Sequence, residues 1–144
     1  MTPSKHILSC AAFLAAVVAC GSGNEDNGGG VTNSTTFTEV YTQILGPTCS
    51  THHSGGDPAG NLDMSSQSLA YQNLAGVAAS GPSCGGEDPV PTRVVAYDSA
   101  GSLLWQKVAG QQKCGSQMPL GGPYLSSAQI ELIAEWIDDG AQND

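Results

Sequence analysis

The chain has 144 residues, 40% hydrophobic and only 12% charged, with 19 Gly and 8 Pro. Four basic residues stand against 13 acidic ones, a formal net charge of −9. A chain this acidic repels phosphate backbones, which argues against a nucleic-acid partner and for partners that carry basic patches.

The first twenty residues have the three parts of a secretory signal. Lys5 and His6 form a short basic n-region, and Ile7 to Val18 are apolar apart from Ser9 and Cys10. An apolar run of about a dozen residues is too short to cross a hydrocarbon core of about 30 Å as a helix. Val17-Val18-Ala19-Cys20 resembles the bacterial lipobox, in which a small residue precedes a cysteine that is lipidated before cleavage. Residues 1–19 are therefore expected to be a lipoprotein signal peptide and Cys20 the lipidated first residue of the mature chain. The expected location is the cell envelope, with a lipid anchor in the membrane and the domain in the periplasm or at the cell surface. Gly21 and Ser22, with no Asp at the second mature position, favour the outer membrane by resemblance to lipoprotein sorting. Loss of Lys5 leaves three basic residues against 13 acidic ones, a net charge of −10.

Residues 20–36 read as the lipidated cysteine and a flexible, polar linker. A single domain is expected over 37–144, all-α and with long Gly-rich loops. The pair Thr36 and Glu39 forms a capping box, and Phe37, Val40, Tyr41 and Ile44 recur at helical spacing, with Gly46-Pro47 as the predicted stop. A second helix fits Ser66 to Leu74, closed by Gly76, and a third fits Ser102 to Val108, stopped by Gly110. The last helix is the best defined. Ser126 and Gln129 cap it, Ile130, Ile133 and Ile137 form its stripe beside Leu132 and Trp136, and Gly140 ends it. Trp105 and Trp136 read as core residues, and Asp138 and Asp139 as a solvated face. The loops over 54–64 and 85–98 are too poor in apolar side chains to build a core alone, so something else must organise them.

Five cysteines are present. Cys10 leaves with the signal and Cys20 takes the lipid, so Cys49, Cys84 and Cys114 remain in the domain. On the oxidising side of a membrane an odd cysteine needs a partner other than a cysteine of the same chain.

Two loop motifs bear chemistry: Cys49-Ser50-Thr51-His52-His53 after the first helix, and Cys114-Gly115-Ser116-Gln117-Met118-Pro119 before the last. With ILGPTCSTHH, GNLDMSS, AYQNLAG, SLLWQKVAG and CGSQMPLGGPYLSSAQIELIAEWIDDGA, the chain resembles small class I cytochrome c domains, in particular the planctomycete-type versions in bacterial lipoproteins. The resemblance spans about residues 37–141. It implies a cytochrome c-like fold of about four helices that binds haem c and passes single electrons. Cys49 would be a thioether cysteine, His53 the proximal iron ligand and Met118 the distal one. It also suggests that Trp136 packs near the haem edge. His/Met ligation leaves no open position on the iron, which suits electron transfer rather than catalysis.

The chain departs from the family motif C-x-x-C-H at one position, where His52 replaces the second cysteine, so at most one thioether can form. If Cys84 and Cys114 form a disulfide, Cys49 is the leftover thiol at the thioether position; Cys49–Cys84 and Cys49–Cys114 remain open on sequence. A bridge closing about 30 residues contributes roughly 3.5 kcal/mol on the chain-entropy estimate. A zinc or copper site at Cys49, His52 and His53 lacks a fourth ligand. No catalytic triad context, P-loop or dinucleotide fingerprint is present, so no enzyme and no small-molecule substrate is expected. Two functions follow from the resemblance. The first is a membrane-tethered electron-transfer protein that meets a redox partner with a basic patch. The alternative is a haem-free relative acting as a structural or protein-interaction module at the envelope.

Overall fold

A computed structural model describes residues 34–144. The expected signal peptide, Cys20 and the linker through residue 33 lie outside the described residues. Within them the chain is all-α, with helix α1 at Phe37–Val40, α2 at Gln67–Leu74, α3 at Leu103–Ala109 and α4 at Ser127–Asp138. No strand is present among the described residues, only isolated bridges such as Ala75 with Val94 and Ala78 with Thr92. None of these helices is long and apolar enough to cross a membrane.

The first amides of a helix lack intrahelical partners, and each helix meets this need differently. The Thr36 hydroxyl accepts from Glu39 N at 3.1 Å while the Glu39 carboxylate accepts from Thr36 N at 3.0 Å. The amides of Phe37 and Thr38 donate to Asp144, at the other end of the chain, at 2.8 and 3.0 Å. This puts a carboxylate at the positive end of α1. Ser66 caps α2, and Ser126 with Gln129 forms a second capping box on α4. Ser102 precedes α3 without capping it. Its buried hydroxyl instead accepts from Val95 N and donates to Asp98 O, and the Leu103 and Leu104 amides donate to the carbonyls of Thr92 and Arg93. The loop before α3 is thereby fixed to the start of that helix.

Gly46-Pro47 does not stop the first helix as the sequence suggests. Helical winding continues from Tyr41 to Cys49 as a wider π-helix that contains Pro47. In an α-helix the Pro47 ring would meet the carbonyl four residues back and leave it without a donor. The wider turn relieves that clash, and Ser50 N bonds to Leu45 O, five residues away, at 3.0 Å. Gly46 eases the close packing here, since a Cβ would lie 3.1 Å from the Tyr41 carbonyl oxygen. At the other end of the domain, α4 closes at Gly140 with φ +105°, where a Cβ would strike the Tyr97 ring.

The core joins α1, its π continuation, α2 and α4. Phe37, Val40, Ile44, Leu45, Leu74, Ile133, Trp136 and Ile137 are buried in it. Phe37 lies at the centre of the aromatic cluster, 4.9 Å from Trp136 and 5.3 Å from Tyr71 between ring centroids. Trp105 is half-buried against the same core. The predicted loop over 85–98 contributes more than expected, since Val94 is fully buried in the core. The end of the predicted linker also packs, as the buried Thr35 donates to Glu135 at 2.8 Å. Asp138 accepts from the amide and hydroxyl of Ser99, and so ties a loop down as well as facing solvent.

Candidate functional site

A largely apolar cavity of about 320 Å³ opens beside this core, away from Trp136. Its size is within the usual range of ligand pockets, roughly 300–1,000 Å³. Cys49, His53 and Met118 all line it. The first two arrive from the end of the π-helix and the turn after it, the third from the loop between α3 and α4. The wall between them is aliphatic: Leu62, Met64, Leu74, Leu103, Leu104 and Val108. No carboxylate lines the cavity among the described residues.

His53 is held by the loop that follows it. The Cys49 carbonyl accepts from His53 N at 3.0 Å, which carries the helical turn through both residues. The backbone of the 54–64 loop then returns to the histidine. Met64 N donates to His53 O at 2.6 Å and Ala59 N to His52 O at 3.2 Å. The imidazole Nδ1 lies 2.7 Å from Ala59 O. A carbonyl only accepts, so Nδ1 carries the proton and the Nε2 lone pair is free for a metal. Burial lowers the His53 pKa, with His52, Arg93 and Lys107 adding to the effect against the Ala59 bond. The imidazole is therefore neutral at pH 7, the form in which histidine binds metals.

Two cations line the same cavity, and sequence reasoning did not reach either. Arg93 is 5% exposed, and its guanidinium donates to the carbonyls of Asn73, Gly60 and Asn61 and to the Ser80 hydroxyl at 2.8–3.2 Å. It thus holds the Ala59–Asn61 turn whose first carbonyl orients His53. Lys107, in the last turn of α3, donates to Cys114 O at 3.0 Å and Ser116 O at 3.1 Å. Among the described residues, every hydrogen bond from these two side chains goes to a carbonyl or a hydroxyl, none to a carboxylate. Only three basic residues follow position 19, so any one of them facing inward was a signal worth following.

Cys84 and Cys114 form a disulfide, with Cα atoms 5.4 Å apart, and Cys84 also lines the cavity. The bridge ties the Gly81–Cys84 wall to the loop that carries Met118. Cys49 is the free cysteine among the described residues. Burial pushes its thiol up to about 11. His52 is exposed and does not line the cavity. The set Cys49, His52 and His53 therefore does not converge on one point, and no cluster of three or more His, Cys, Asp or Glu suited to a metal ion occurs among the described residues. Trp136 packs in the core and does not border the cavity.

Arg93→Met removes the donor from three carbonyls and should cost about 2–4 kcal/mol, read by urea denaturation. Cys49 should react slowly with iodoacetamide at pH 8, its rate rising about tenfold per pH unit toward pH 11 as thiolate forms. Peptide mapping reads Cys49 separately from Cys10 and Cys20, and a fast, pH-independent reaction would contradict the buried thiol. Comparison of the chain with family models, with curated proteins and with solved structures returned no match.

Proposed function

We propose that the chain is an envelope-tethered, cytochrome c-like electron-transfer protein that binds haem through His53 and Met118. The observation that carries this reading is that Met118, distant in sequence, lines one apolar cavity with Cys49 and His53 of a single turn. The residues fit the group on three counts. The aliphatic wall suits a porphyrin face, and the free Nε2 of His53 with the soft thioether of Met118 suits a haem iron. Arg93 and Lys107 make the cavity electropositive, which suits the carboxylates of a haem edge.

Haem, when bound, would supply a one-electron couple between ferric and ferrous iron. The chain's part is to hold and tune it. His53 would be the proximal ligand, its orientation and basicity set by the bond to Ala59 O. Met118 would be the distal ligand, and ligation by both residues would suit electron transfer rather than binding of a substrate at the iron. Cys49 would hold one edge through a single thioether, because His52, at the second attachment position of the family motif, has no sulfur to form another. On this reading Cys20 carries the lipid and the linker holds the domain clear of an outer membrane. The acidic surface would then meet a redox partner through that partner's basic patch.

Expression in a host that matures c-type cytochromes should yield a protein with a haem absorbance spectrum. His53→Ala should abolish haem binding. Met118→Ala should keep it, with the reduction potential lower by on the order of 100 mV. Colourless wild-type protein that also fails to take up added haem would sink the proposal.

A further inference from the structure

We infer that Lys107 is the positioning residue for Met118, holding the 114–118 loop so that the thioether faces the cavity. What this position is for rests on the haem reading above; the clamp itself stands on the hydrogen bonds alone.

Lys107 grips the loop from both ends of the residue. Its ammonium donates to Cys114 O and Ser116 O, and its own carbonyl accepts from Met118 N at 2.9 Å. A cation in the last turn of a helix ordinarily serves that helix's own terminal carbonyls. Here it reaches past them to a separate loop seven to nine residues on. The loop is shaped to admit it. Gly115 sits between the two accepting carbonyls at φ +62°, and a Cβ there would lie 2.8 Å from Lys107 Nζ. The Gln117 amide packs over Gly110, where a Cβ would come within 3.0 Å of it. The disulfide holds Cys114 from the opposite side.

Three ties therefore converge on a five-residue segment that has no regular structure of its own and ends at Met118. The bond from Met118 N goes to the Lys107 carbonyl, which any residue at 107 would supply; what the lysine adds is its ammonium on Cys114 O and Ser116 O, two to four residues before Met118. Lys107 is not part of the buried core around Phe37 and Trp136. Its removal should free the loop while leaving that core closed, a local opening and not a global one.

Amide hydrogen exchange on the haem-free full chain tests the clamp without reference to any cofactor. In Lys107→Leu, Met118 N–H should exchange faster by on the order of tenfold, with the amides of Ile133, Trp136 and Ile137 unchanged. Lys107→Arg keeps charged donors and should restore most of the protection. An unchanged Met118 rate in Lys107→Leu would overturn the inference. So would equal acceleration of Met118 and the core amides, which marks a purely structural residue. If Lys107→Leu does not fold, Lys107→Met, which keeps an unbranched stem without the ammonium, should produce the same selective loss, and its absence would overturn the inference. In haem-loaded protein, Lys107→Leu should lose the charge-transfer band of methionine–iron ligation, as Met118→Ala does; retention at the wild-type level would overturn the inference. A wild-type chain that binds no haem would refute the proposed function alone, and the exchange measurement would still decide the role of Lys107.

Discussion

Loop carbonyls around a cavity need donors, and in this protein two inward-facing cations supply them. A helix satisfies its own backbone, but the segments between these helices do not, and a small domain has little core with which to hold them. Arg93 takes up the carbonyls of Gly60, Asn61 and Asn73, and Lys107 those of Cys114 and Ser116. Each cation stabilises the loop behind one proposed ligand, Arg93 that of His53 and Lys107 that of Met118. Among the described residues neither bonds to a carboxylate, so the groups that order the loops also bring two positive charges to the cavity wall. With no carboxylate on that wall among the described residues, the arrangement suits an apolar occupant that carries negative charge.

The helices were largely legible in the sequence because their signals are local. Capping pairs at Thr36 and Glu39 and at Ser126 and Gln129, and glycines after α2, α3 and α4, mark ends that depend on residues within a turn. The exception is also instructive. Gly46-Pro47 reads as a stop because proline is incompatible with an α-helix, but a π-helix accommodates it and carries Cys49 to the cavity wall. Rules written for one helical spacing do not foresee a change of spacing.

The site was half legible. Cys49, His53 and Met118 stand in short motifs whose residue types suggest haem chemistry, and the odd cysteine count drew attention to Cys49. Arg93 and Lys107 stand in no motif. Their roles come from contacts with segments up to 33 residues away, made possible by the bridges that align 75–78 with 92–94 and by the Cys84–Cys114 bond. Met64 was missed for a similar reason: it lies at the end of a polar loop, yet it is 1% exposed because that loop folds back onto His53. Long-range closure of this kind leaves no periodic trace in the sequence.

The disulfide and the free thiol belong to one account. Among the described residues, with Cys84 bonded to Cys114, Cys49 is left unpaired on the cavity wall, its thiol kept protonated by burial, while His52 is exposed. The account therefore requires a single covalent attachment at one defined sulfur. Peptide mass mapping of protein matured in a cytochrome c-competent host tests this directly. The peptide containing Cys49 should carry the mass of one haem, with Cys84 still joined to Cys114. A Cys49 peptide found unmodified or joined to another cysteine, in protein that has been through that machinery, would contradict it.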